Sequence, residues 1–204
     1  SAGAYANIRL SFGMIFPAHA TNFGTYFLYG LSIIGVITAF LGSLLALVAT
    51  DIKRVIAYSS ISHMGYIMFG ISLFPVNIAA GATVIAASSF AIIGTVLHII
   101  THAASKGLLF LTAGGVMHQT EKRDIREMGG LASKMPFTTI SSMVAALSIA
   151  GAPPFACFIS EFFIFMGAFQ VITGTATLPG DSFYIIPTAL MLVATVFSLA
   201  YMLR

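Results

Sequence analysis

Apolar runs of roughly one membrane crossing each alternate along this chain with short polar connections. A helix needs about 20 apolar residues to cross the hydrocarbon core. The runs predict helices over 25–50, 55–74, 82–118, 137–173 and 183–203. Residues 1–16 read as the end of a preceding transmembrane helix, followed by a loop over 17–24. Further polar connections fall at 51–54, near 75–77 and over 119–136. The pattern predicts an all-α polytopic transmembrane helix bundle. Starting in an apolar run at Ser1 and stopping at Arg204, the chain reads as an internal piece of a longer protein.

Two runs exceed one straight span. The first, from about Ala82 to His118, is expected to tilt or to begin outside the hydrocarbon core. The second is interrupted by Gly151, Ala152, Pro153 and Pro154. Proline removes a backbone donor and clashes with the preceding turn. This predicts a discontinuous helix broken at 152–156. Broken helices at membrane depth are tolerated where they are buried in protein or line a cavity.

Against this apolar background three ionisable residues stand four apart: His98, His102 and Lys106. On a helix such positions share a face and form a stripe ~12 Å long. Ionisable groups inside a membrane mark ion or proton pathways. Lys106 lies too deep to snorkel easily and is a candidate proton acceptor; the alternative is a lysine held by a buried carboxylate. Glu161 follows the proline break by one helical turn, near a positive helix end that favours an anion. It is a candidate for loading and releasing a proton, or else a fixed counter-ion. His98 and His102 suit a proton relay, a contact to a neighbouring helix, or a metal. The i, i+4 spacing fits metal ligation, yet no HExxH glutamate and no third soft ligand lies nearby, so metal is the weaker reading. His63, after Ser59, Ser60 and Ser62, is open between a relay and a hydrogen-bonded packing role. His19 and His118 fall near loops.

Composition narrows the function classes. The chain is 58% hydrophobic and 7% charged, with mean hydropathy +1.00. Soluble domains carry about 25% charged residues. The net charge of +3 and pI of about 9.2 do not point to nucleic acid, because of where the charges fall. Lys53, Arg54, Lys122, Arg123, Arg126, Lys134 and Arg204 map to one side of the predicted bundle, while Arg9 and Lys106 sit within or beside spans. The positive-inside rule makes that side cytoplasmic, or matrix-facing in an organelle. The single cysteine, Cys157, supports neither a disulfide framework nor an iron–sulfur or zinc ligand set. No glycine-rich nucleotide motif stands on a strand–loop–helix pattern. The expectation is no cofactor, metal or catalytic redox site in this chain.

Three segments carry a family resemblance. DIKRVIAYSSISHMGYIMFGI starts at Asp51; HIITHAASKGLLFLTAGGVMHQT, from His98, runs on to RDIREMGGLASKMP; IAGAPPFACFISEFFIF starts at Ile149. In order and spacing they resemble the antiporter-like membrane subunits of respiratory complex I, a family shared with multisubunit sodium/proton antiporters and membrane-bound hydrogenases. The resemblance covers essentially the whole chain. It implies two inverted five-helix repeats in the full protein, with residues 25–204 as the second. It implies proton translocation coupled to electron transfer in an NADH:quinone oxidoreductase-type or related respiratory complex, through Lys106, His98, His102 and Glu161, with His63 added from its place among the serines; the alternative is a subunit of a multisubunit sodium/proton antiporter or membrane-bound hydrogenase. Lys106 matches the central lysine of the second half-channel, and Glu161 the charged residue of the broken helix. Flavin or iron–sulfur clusters would belong to partner subunits, and quinone would be met only through the whole complex. The other partners are neighbouring membrane subunits, the bilayer and protons, in a prokaryotic plasma membrane or an organellar inner membrane. Glu161 points to the M-type subunit, whereas the HxxxHAxxK pattern is more typical of L-type and antiporter subunits. Ser1 stands where M-type subunits carry a lysine.

Overall fold

In the computed structural model of the chain, residues 22–73, 82–174 and 181–203 are described, together with Gly3 and Ala6. The rest of the expected helix at 1–16, including Arg9, lies outside the described residues, as do His19, the turn at 75–77 and Arg204. The helices are α1 (Asn22–Val48), α2 (Ile52–Ser72), α3 (Ala82–Thr120), α4 (Leu131–Lys134), α5 (Pro136–Ile149), α6 (Ala156–Thr173) and α7 (Ile185–Met202). Among the described residues there is no β-strand, so the bundle is all-α. Helix α1 begins at Asn22, inside the segment expected to be a loop. The polar connection over 119–136 contains a 3-10 turn, Ile125–Glu127, and the short α4.

Four described helices are long and apolar enough to cross a membrane, within α1, α3, α6 and the stretch Ser182–Met202. Helix α2, expected as a span, is not among them. Its serines and His63 lower its apolarity, and eleven of its 21 residues are buried. It packs against both α1 and α3, so its polar side chains meet protein rather than lipid. Helix α3 is unbroken over 39 residues, roughly 58 Å at 1.5 Å per residue, well beyond the ~30 Å core.

The helix break has a capping structure. Helix α5 ends at Ile149, and Gly151 takes φ +67. The Gly151 amide donates to the Ser148 carbonyl at 3.2 Å, and Ala152 donates to Leu147 at 3.1 Å. That pair of bonds is a Schellman cap, which needs a left-handed residue at its turn. The prolines follow, and α6 starts at Ala156.

At one end of the bundle the two basic connections are joined. Asp51 and Asp124 form an antiparallel bridge. The Ile52 amide donates to Arg123 at 3.2 Å and the Ile125 amide to Thr50 at 3.0 Å. Each aspartate also caps the helix or turn that follows it: Asp51 accepts from Lys53 and Arg54, and Asp124 from Arg126. Lys53, Arg54, Lys122, Arg123 and Arg126 therefore share one end. At the other end the Tyr29 hydroxyl donates to Asp181 at 2.6 Å and the Tyr184 hydroxyl to the Ser72 carbonyl at 2.6 Å.

Three apolar clusters fill the described interior: a small one of Leu31, Ile67 and Ile71, and two larger ones that flank the polar residues. One takes Val36, Tyr66, Phe69, Ala91, Ile164 and Met191 among others. The second holds Ile56, Leu109, Ala113, Ala145, Ile149 and Cys157. Along α2, α3 and α6 alike, polar residues occupy the positions between the clusters. A buried polar layer is thus sandwiched between two apolar ones.

Candidate functional site

The polar layer is built where α3 crosses α2 and α6. Gly94 permits the α3–α6 approach: a Cβ there would lie 2.7 Å from the Ile164 amide nitrogen and 2.9 Å from the Ser160 carbonyl oxygen. Small residues at such crossings let backbones close up in membranes. One turn further along α3, His98 meets Ser160, with Nδ1 2.8 Å from Oγ. Its other ring nitrogen, Nε2, is 3.1 Å from Nδ1 of His63 on α2. Both histidines are fully buried.

The direction of these bonds follows from donor counts. The Ser160 hydroxyl donates to the Cys157 carbonyl at 2.8 Å. A neutral His98 then donates from Nδ1 to Ser160 and accepts at Nε2 from His63 Nδ1–H. That tautomer leaves His63 Nε2 as a bare lone pair, and this buried atom has no hydrogen-bond partner. Nε2 of His102 is likewise unpartnered. The His102 ring centroid lies 5.1 Å from that of His63 and 6.2 Å from that of His98.

Lys106 ends the line on α3. It is 6% exposed and donates to the Ile56 carbonyl at 2.8 Å and to the Ser59 hydroxyl, both on α2. No carboxylate lies within ion-pair distance; among the described residues the one ion pair is Lys122–Glu127, on the surface. The amine is therefore held by neutral groups, which can serve it with or without its charge.

Glu161, on α6, is 3% exposed, and its Oε1 has no partner. One carboxylate oxygen and one nitrogen each from His63 and His98 lie within 4.8 Å of one another. Gly151 makes room for the carboxylate, since a Cβ there would sit 2.8 Å from Oε2. The break between α5 and α6 thus opens the seat that Glu161 fills. A cavity of about 300 Å³ also reaches Glu161, lined by Gly151, Phe162, Phe165, Leu192 and Thr195 among others.

All five residues singled out from the sequence are buried in this one layer. Three helices contribute: α2 gives His63, α3 gives His98, His102 and Lys106, and α6 gives Glu161. Sequence reasoning missed Ser160, although it immediately precedes Glu161 and shares its helix turn. It also missed Tyr66, one turn after His63, whose ring stacks against His63 and His98 at 5.6 and 5.8 Å. The Tyr66 hydroxyl is 2.8 Å from Thr195 Oγ1 on α7, tying the layer to a fourth helix. His118, expected near a loop, is exposed at the end of α3.

The fold and this layer define an integral membrane bundle with a line of ionisable groups enclosed at its centre. The chain belongs to the NADH:quinone oxidoreductase/Mrp antiporter transmembrane family, whose model matches residues 1–182. It is 36% identical over 169 residues to NADH-quinone oxidoreductase subunit M of Pseudomonas aeruginosa, covering 83% of this chain and 30% of that protein. It is 39% identical over 170 residues to a Na(+)/H(+) antiporter subunit of Alkalihalophilus pseudofirmus, covering 83% of this chain and 21% of that one. A solved archaeal complex, the membrane-bound sulfane sulfur reductase, contains a chain that superposes with TM-score 0.77 at 25% identity. That match covers 100% of this chain and 36% of the other. The chain thus spans less than a third of the length of either curated relative. These findings bear out the family resemblance read from the three sequence segments.

Proposed function

We propose that this chain supplies one proton-conducting half of a membrane subunit in a redox-driven, complex I-like NADH:quinone oxidoreductase. The observation that carries this is Lys106, buried without a carboxylate on the same helix as His98 and His102, with Glu161 Oε1 unpartnered beside His63 and His98. A buried lysine locked to a counter-ion would be a structural strut. A lysine held by a carbonyl and a hydroxyl is free to change its charge. A proton taken up at Lys106 would pass by way of His102, His63 and His98 toward Glu161, imidazoles being able to accept at one nitrogen and release at the other. Charge changes in neighbouring subunits would drive the steps electrostatically, each altering the proton affinity of the next group.

On this reading residues 25–204 form the second five-helix repeat, and the chain does no electron chemistry itself. Flavin and iron–sulfur clusters belong to other subunits, and quinone is met only by the whole complex. Neighbouring membrane subunits are its direct partners. The end bearing Lys53, Arg54, Lys122, Arg123 and Arg126 faces the cytoplasm or matrix.

The test is proton pumping in vesicles by the assembled complex carrying Lys106→Ala, with electron transfer followed in parallel. An intact complex that transfers electrons but pumps fewer protons is the expected result. Unchanged pumping stoichiometry would overturn the pathway. A second reading rests on the 39% identity to the sodium/proton antiporter protein: exchange of sodium for protons without a redox partner. Sodium-dependent exchange in vesicles lacking any electron donor selects it.

A further inference from the structure

The geometry points to a divalent transition-metal site inside the polar layer, formed by His63, His98 and Glu161. Each residue offers one ligand atom, and the three atoms lie within 4.8 Å of one another. In a tetrahedral zinc site with bonds of about 2.0–2.1 Å, neighbouring ligand atoms stand ~3.3 Å apart. The two facing imidazole nitrogens of His63 and His98 are already 3.1 Å apart. The carboxylate oxygen stands at most 4.8 Å from either nitrogen, so it closes by no more than about 1.5 Å to reach that spacing.

A further observation points to a ligand here. Glu161 Oε1 is buried and unpartnered, on a residue 3% exposed. Leaving a buried carboxylate oxygen unsatisfied is costly, and a cation that binds it removes that cost. A cavity of about 300 Å³ adjoins the site on the Glu161 side.

The donor set selects the ion. Two imidazoles and one carboxylate suit zinc and its late first-row neighbours, whereas calcium and magnesium take oxygen ligands. One carboxylate offsets only part of a divalent charge, and a fourth position is left for water or hydroxide. His102 lies outside the ligand set. The i, i+4 pair on α3 is therefore replaced by a set drawn from three helices.

A cation bound here occupies atoms that a proton relay needs, so the site is inhibitory. That consequence rests on the proton-translocation reading, whereas the binding itself does not. The experiment is equilibrium dialysis of the purified intact complex against radioactive zinc, for wild type, His63→Gln, Glu161→Gln and His102→Gln. Zinc-edge X-ray absorption is recorded on the wild type, and pumping is measured with and without zinc.

The expected result is one zinc per copy of this chain in wild type and His102→Gln, lost in His63→Gln and Glu161→Gln, with imidazole scattering at the edge. Equal zinc content in wild type and both ligand variants would overturn the site. If those variants fail to assemble, the wild-type spectrum decides, and bound zinc without imidazole ligands overturns it. Zinc that binds as expected yet leaves wild-type pumping unchanged supports the site and overturns the relay instead.

Discussion

Gly151→Ala separates backbone strain from the seating of Glu161, because the protein contains its own control. Gly151 and Gly130 have nearly the same left-handed φ, +67 and +65. A side chain in that conformation costs about 1–2 kcal/mol relative to the usual one. The surroundings differ. A Cβ at Gly130 meets nothing within 4 Å, whereas at Gly151 it lies 2.8 Å from Glu161 Oε2. Ordinary contact begins at 3.4 Å, so the carboxylate must retreat by about 0.6 Å. A flexible side chain makes that shift at little further cost in stability. For proton transfer the shift matters far more, since displacements near 1 Å cost up to ~100-fold in rate.

Both variants are therefore expected to lower the thermal stability of the solubilised protein by a similar amount, about 1–2 kcal/mol each. Only Gly151→Ala is expected to lower the number of protons pumped per electron pair. The assay is vesicle acidification at matched electron-transfer rates, with thermal unfolding read alongside. Full pumping by Gly151→Ala, or equal pumping losses in the two variants, would refute the idea that this glycine positions Glu161.

Other outcomes follow from the same geometry. Ser160→Ala removes the partner of His98 Nδ1 and leaves a buried ring N–H unsatisfied, for a loss of roughly 1–3 kcal/mol in thermal unfolding; wild-type stability would contradict the bond direction deduced from the donor counts. Ser59→Ala leaves Lys106 with only the Ile56 carbonyl, so pumping should slow while the complex still assembles; an unaltered rate would show that the Ser59 hydroxyl does not support Lys106 in proton transfer. Gly94→Val drives a branched side chain into the α6 backbone and should block assembly, as read by native gel. Asp51→Ala and Asp124→Ala each remove a cap worth ~1 kcal/mol, and faster protease cleavage of the 119–136 connection in the Asp51 variant would show that the two loops hold each other.

The local features were legible in the sequence for a physical reason. Backbone groups in a membrane must be satisfied within the segment, so apolar runs become helices and Pro-Pro becomes a break. The i, i+4 stripe on α3 is likewise short-range. The isolated ionisable residues stood out because each is costly at depth. Tertiary packing decided which of them meet. His63 and His98 are 35 residues apart, Lys106 and Ile56 are 50 apart, and His98 and Ser160 are 62 apart. No periodicity within one helix encodes such pairings; they depend on where small residues let helices cross. The same holds for α2: the sequence marks 55–74 as a span, and only the packing shows that Ser59, Ser62 and His63 are buried against protein. It holds for the bridge between Asp51 and Asp124, which lie on connections far apart in the chain. Chain-local chemistry thus set the helices and the candidate groups. Helix crossing alone placed Lys106 on a carbonyl rather than a carboxylate, and left Glu161 beside two imidazoles with an oxygen free.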